Sequence, residues 1–282
     1  MKIVTLTDNS TSDPKLQTEH GLSVYIEFGD HKILFDTGKS DVFIKNAEAL
    51  NIDLRQVTDV VISHGHYDHI GGLVSFLRIN TNAKVYLKKE IFDYQYYSIK
   101  GTVSKKIGWS ETLVEYKNRF IFLNNDFYIE DNLIFISNIE DIYPKPKGNE
   151  LLYKLKEAHF ELDDFRHELV FCLDTGNELC VFSGCSHNGI TNMLYTIKKY
   201  FKDKKIKLIF GGLHLIDAIK FIQTETVKEI NEIAFEVDYL SENAILFTGH
   251  CTSDKAKDII SKKMGRRFNT FYAGHVIELN TL

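Results

Sequence analysis

The chain has 282 residues, 44% of them hydrophobic and 26% charged, a composition that excludes disordered and fibrous classes and allows a core of real size. A formal net charge of -5 with scattered lysines argues against a nucleic-acid partner, and no apolar run approaches the roughly 20 residues of a membrane span. The first apolar run is short and interrupted by Asp8 and Asp13, unlike a secretory signal, and the four cysteines form no C-x-x-C pair, so a cytoplasmic protein without a disulfide framework is expected.

Strands are expected at 2–7, 22–28 and 32–35, the last two joined by a turn at Gly29-Asp30. The third ends in Asp36-Thr37-Gly38, after which Ser40-Asp41 signals a helix to about residue 50. A buried strand at 57–62 runs directly into Ser63-His64-Gly65-His66-Tyr67-Asp68-His69, followed by a short helix at 73–77 and a strand at 85–87. Residues 91–119 are irregular, rich in Tyr, hold Trp109 and carry Lys100, Lys105 and Lys106. They read as an insertion, either a surface element with its own small core or a lid over a substrate. Strands resume at 120–123, 127–129 and 133–136, and 143–149 is a loop.

In the second half, strands at 169–173 and 179–182 are joined at Thr175-Gly176-Asn177. A helix then presents Ile190, Leu194, Ile197 and Phe201 on one face. A strand at 206–210, a helix over about 224–238, a strand at 244–247 and a last strand within 270–279 complete the order. Scarce proline and the lack of a linker favour a single domain with an insertion at about 91–119. Both halves run strands first and helices after, which predicts an α+β fold, an αββα sandwich.

Small-residue turns at strand ends carry the chemistry: Asp36, His64, His66, Asp68, His69, His187, His214 and His250. Imidazole and carboxylate are the usual ligands of zinc and related metals. A tight loop can turn His64 and His66 toward one ion and Asp68 and His69 toward a second. Four donors do not complete two sites, so further ligands must come from elsewhere, with His187 and His250 as candidates. Two divalent ions are expected, zinc first, with manganese or iron as alternatives.

Ser63 to Leu73, "SHGHYDHIGGL", is similar to the H-x-H-x-D-H signature of the metallo-β-lactamase superfamily, and "ILFDTG" resembles that superfamily's first motif. The resemblance implies an αββα sandwich with a metal pair at the sheet edge and Asp36 supporting the metal loop. "TDN" (7–9), "EHGLS" (19–23), "SGCSHNGITN" (183–192), "GGLHL" (211–215) and "GHCTSDKA" (249–256) look like the subgroup labelled 7,8-dihydropterin-6-methyl-4-(β-D-ribofuranosyl)aminobenzene-5'-phosphate synthase-like. One departure concerns the Asp that bridges the metals in many members, since Cys185 stands in its place with His187 two residues on. Cys185 is either a soft thiolate ligand or a buried small residue beside a ligating His187. His167, in "RHEL", is a rival to His187. His214 and His20 are either supporting histidines or a proton donor and a substrate-phosphate contact. His31, His159 and His275 read as structural, and Cys251 as a buried small residue.

The expected activity is hydrolysis of a small, phosphorylated molecule by a metal-activated water, with Asp68 holding and orienting one ion and His214 as a catalytic candidate. His20, Lys105, Lys106 and Trp109 are the candidate substrate contacts, because rings suit a flat group and ammonium groups a phosphate. The subgroup resemblance implies an alternative transferase, condensing a pterin diphosphate with a ribosyl-aminobenzoate phosphate. A non-catalytic metal or ligand sensor on the same scaffold is the third reading. The expected partner is a small-molecule substrate, with neither nucleic acid nor membrane.

Overall fold

A computed structural model describes residues 1–217 and 224–279. The chain divides into two compact units, Met1–Asn124 with Lys154–Glu161 and Phe271–Leu282, and Asn125–Tyr153 with Leu162–Thr270.

The first unit is built on a seven-stranded sheet in the order Val276–Glu278, Lys2–Thr7, Ser23–Phe28, His31–Phe35, Asp59–Val61, Lys84–Leu87 and Phe120–Phe122. Hairpin-linked neighbours are antiparallel, whereas His31–Phe35, Asp59–Val61, Lys84–Leu87 and Phe120–Phe122 run parallel. Parallel strands need crossovers; the helices Val42–Ala49 and Leu73–Ile79 supply the first two, and residues 88–119 the third. The strands are Val-, Ile-, Leu- and Phe-rich, and Ile33, Leu34, Phe35, Val60 and Val61 are completely buried. Two parallel strands therefore end side by side, one in Asp36 and the other in the Ser63–His69 loop. A smaller sheet has the order His159–Leu162, Leu152–Lys156, Gln95–Lys100 and Val103–Lys106.

The second unit carries its own seven-stranded sheet in the order Phe268–Thr270, Ile245–Thr248, Lys205–Phe210, Glu178–Phe182, Val170–Asp174, Leu133–Ile136 and Phe127–Glu130. Helices Ile190–Tyr200, Val227–Ser241 and Asp254–Met264 bury Met193, Leu194, Ile197, Ala234, Val237 and Ile260 against Ile209, Val181 and Leu246. Three adjacent parallel strands end at Phe182, Phe210 and Thr248. The turns that follow them hold Cys185 and His187, His214, and His250.

Three features depart from the sequence expectation. Residues 91–119 contain an ordered hairpin, Gln95–Lys100 with Val103–Lys106, closed at Gly101 with φ 61°. Leu152–Lys156 and His159–Leu162 are strands whose turn places Glu157 and Ala158 at positive φ without glycine, so no local turn signal marks it. The helix Asp254–Met264 is mostly charged, and only Ala256, Ile259, Ile260 and Met264 give it an inward stripe. Its start is capped by Ser253 Oγ, which accepts from Ala256 N at 3.3 Å. The first helix starts as the Ser40-Asp41 signal implies, with Ser40 Oγ accepting from Val42 N at 3.3 Å.

Candidate metal centre

Asp36 is fully buried at φ 56° and faces the metal loop with both carboxylate oxygens. Oδ1 accepts from Ser63 N at 2.7 Å, and Oδ2 accepts from Ser63 Oγ at 2.7 Å and from His69 Nδ1 at 2.6 Å. A carboxylate only accepts, so the His69 proton sits on Nδ1 and the lone pair on Nε2. Ser63 Oγ spends its one proton on Asp36, so it accepts from His64 Nδ1 at 2.9 Å. The lone pair of His64 is thereby also placed on Nε2. One buried carboxylate thus sets the tautomer of two loop histidines.

The donor atoms of the loop fall into two pairs. His64 Nε2 and His66 Nδ1 are 3.1 Å apart. That is close to the edge, about 3.3 Å, of a tetrahedron with metal–nitrogen bonds of 2.0–2.1 Å. His69 Nε2 and Asp68 Oδ2 are 3.7 Å apart, an edge one larger or more open coordination shell can span. All four side chains are buried or nearly so. The chemistry and spacing of this donor set fit a divalent metal.

The loop is held against its surroundings by backbone. Thr37 N and Oγ1 both donate to His69 O, at 2.7 and 2.9 Å. Tyr67 N donates to Ile107 O at 2.7 Å. Gly65 is tight against Tyr96, whose ring meets the edge of His66 at 5.8 Å between centroids. His20 Nε2 lies 3.3 Å from Asp68 Oδ2 and its Nδ1 lies 3.3 Å from Asn9 Oδ1.

The second unit offers its own donors. His187 Nδ1 meets Asn149 Oδ1 at 3.0 Å, while Asn149 Nδ2 donates to His187 O at 2.7 Å, which fixes the amide's orientation. An amide oxygen accepts, so His187 carries its lone pair on Nε2. Phe165 stacks on the ring at 4.5 Å and 8°. The buried Glu168 accepts from His187 N, Asn188 N and Asn188 Nδ2. Burial pushes the Glu168 carboxyl above its ordinary range, against the pull of these hydrogen bonds. His167 Nε2 is 3.0 Å from Asp163 Oδ2, both buried.

His214 sits at φ 50° with its ring 4.2 Å from that of His187, and both its ring nitrogens are buried without a hydrogen-bond partner among the described residues. Its backbone N donates to Cys251 Sγ at 3.3 Å, and Cys251 Sγ lies 3.7 Å from Cys185 O. The donor atoms of Cys185, His214 and Cys251 all lie within 4.8 Å of one another. Burial raises the Cys251 thiol, but Cys185, His214 and the charge of His250 hold it well below its usual value. His250 itself is buried at φ 51°.

The candidate substrate residues fall in different places. Lys105 Nζ donates to Tyr67 OH at 3.0 Å, inside the metal loop. Lys106 lies 3.7 Å from Glu111, on a strand exposed at all four residues, Lys105 included. Trp109 is buried edge-on against Phe92 at 4.9 Å, and its Nε1 donates to Tyr94 O at 2.9 Å. Ser63, Asn149 and Glu168, which orient the histidines, were not singled out by sequence. Only Ser63 carried a signal, by adjoining the cluster.

Residues 17–150 match the family model for the metallo-beta-lactamase superfamily. A solved structure described as a metal-dependent hydrolase of the beta-lactamase superfamily is 33% identical, covers 99% of both chains and superposes with a TM-score of 0.82. A Methanocaldococcus jannaschii protein named 7,8-dihydropterin-6-methyl-4-(beta-D-ribofuranosyl)-aminobenzene-5'-phosphate synthase is 27% identical over 99% of this chain and 96% of its own. A Staphylococcus aureus metal-dependent hydrolase is 34% identical over 32% of this chain and 38% of its own.

Proposed function

The chain belongs to the metallo-β-lactamase superfamily, with its fold, and from that premise we propose that it is a dinuclear metalloenzyme hydrolysing a small, phosphorylated molecule. The observation that carries the reading is the pairing of donors in one loop: His64 Nε2 with His66 Nδ1, and Asp68 Oδ2 with His69 Nε2. His187 and His250 are the further ligand candidates of this proposal, carried by the second unit, and zinc is the first choice of metal. Bound divalent ions lower the pKa of water and stabilise negative charge on a substrate oxygen. The chain's own part is to fix tautomers and orientation. Asp36 sets His69 directly and His64 through Ser63, and Asn149 sets His187. His214, with two buried ring nitrogens beside His187, is the residue this proposal assigns to hold or deliver a proton.

A second reading is a pterin-type transferase, favoured by the full-length similarity to the M. jannaschii synthase. In that reaction the same donors would serve a diphosphate leaving group. Elemental analysis after zinc or manganese loading, followed by a panel of phosphate mono- and diesters, lactones and β-lactams, tests the proposal. Two ions per chain and turnover of phosphorylated compounds are expected. One ion or fewer, or turnover of neutral lactones alone, would overturn it. Diphosphate release from a pterin diphosphate, only with an arylamine acceptor present, would select the transferase.

A further inference from the structure

Tyr67 lies between His66 and Asp68, one from each donor pair. Two lysines gather on its side chain. Lys105 Nζ sits 4.6 Å from the ring centroid and donates to the hydroxyl at 3.0 Å. Lys39 Nζ lies 5.9 Å from the same centroid. The lysines come from separate places, Lys39 from the turn after Asp36 and Lys105 from the hairpin Val103–Lys106.

Some surface lysines are answered by carboxylates, as Lys106 is by Glu111 and Lys45 by Asp41. Among the described residues neither Lys39 nor Lys105 pairs with one. Two acids of the same region are engaged elsewhere. Glu19 accepts from Lys39 N, Ser40 N and Ser40 Oγ, and Asp68 lies 3.3 Å from His20. Two like charges gathered on one ring repel each other, and the ring's negative face offsets only part of that. An anion beside that ring is attracted by both charges.

Both lysines are positioned by backbone. Lys39 follows Gly38, at φ 64°, whose N donates to Leu22 O at 2.8 Å, and Leu22 N in turn donates to Asp68 O at 3.0 Å. The Lys105 strand is tied through Ile107 O to Tyr67 N. An exposed pair of ammonium groups is therefore held in register with the metal loop.

We propose that Lys39, Tyr67 and Lys105 form an anchor for a phosphate group of the substrate, set beside the metal donors and made of none of them. The proposal rests on the hydrolase reading for its location, but its test does not need turnover. Metal-loaded protein is titrated calorimetrically with methyl phosphate, and the metal content of each sample is measured. Lys39→Met and Lys105→Met should each weaken binding about three- to fivefold, and the double variant about tenfold or more, with metal content unchanged. Tyr67→Phe should weaken it less, because the ring remains. Lys45→Met, an equal change of charge away from Tyr67, should bind as the natural chain does. If the double variant binds methyl phosphate as tightly as the natural chain, or the natural chain does not bind it, the anchor is disproved. A metal content below one ion per chain would instead overturn the metalloenzyme reading and leave the lysine comparison readable.

Discussion

His69 Nδ1 lies 2.6 Å from Asp36 Oδ2, and both side chains are fully buried. The same oxygen accepts from Ser63 Oγ, so Asp36 orients two loop histidines at once. Asp36→Asn keeps the shape but replaces one acceptor oxygen with a donor, so at least one of the three hydrogen bonds must be lost. Outer partners of ligating histidines are worth about 10- to 100-fold in metal affinity. Chelator competition with zinc should show a loss of that size while circular dichroism stays native. An affinity within twofold of the natural chain would remove Asp36 from this role.

His187→Ala should lower the metal content by one ion with the fold retained. Asn149→Ala should weaken that ion by about tenfold or more, because Nδ1 loses the partner that sets the lone pair. His167→Ala should leave metal content unchanged, since its Nε2 faces Asp163 at 3.0 Å. Elemental analysis of the three variants decides the matter. Loss of an ion from His167→Ala alone would transfer the ligand role.

The metal loop is legible in the sequence because its donors are neighbours along the chain. The parallel strands are legible as short apolar runs ending in glycine-containing turns. Asn149 is not, because it meets His187 across 38 residues, and an Asn in a loop has many other uses. Lys39 and Lys105 converge on Tyr67 only once the hairpin has folded against the loop. The helix Asp254–Met264 hides its period behind charge, and the strands Leu152–Lys156 and His159–Leu162 hide theirs behind a turn without glycine. Local chemistry was readable, whereas contacts made by distant segments and turns lacking their usual residues were not.

Glu229 links a helix start to a loop. It completes a capping box with Thr226 and pairs with Lys147 at 2.8 Å. Those interactions, Lys147 first, lower its carboxyl from 4.5 to about 2. A group depressed on folding stabilises above its unfolded value and loses that contribution as pH falls toward the folded one. Glu229→Gln should therefore lower stability near neutrality by about 1 kcal/mol or less, since the pair is half-exposed. The gap to the natural chain should shrink as pH falls from about 4.5 toward 2. Thermal melts from pH 7 to pH 3 test this, and a gap independent of pH would contradict it.

Gly72 closes the metal loop against the Asp36 turn. A Cβ there would run into the carbonyl oxygens of Thr37 and Ser40, with the Phe43 ring at 2.6 Å. Its own φ of −80° is ordinary, so only the lack of space demands glycine. Backbone oxygens cannot swing aside as a side chain can, so Gly72→Ala must push the turn away from the loop. Overpacking of this kind costs about 1–3 kcal/mol. In a protein of this size that is a fall in Tm of roughly 2–4 °C per kcal/mol. The displaced turn carries Asp36, so metal affinity should fall together with stability. Gly29→Ala is the contrast, because Gly29 has open space around it and a φ of 57°. Its cost, about 1 kcal/mol, comes from backbone conformation alone and should leave metal affinity untouched. Melting curves paired with zinc-affinity measurements separate the two. Equal metal affinity in both variants would show that the turn and the loop are not mechanically joined through Gly72.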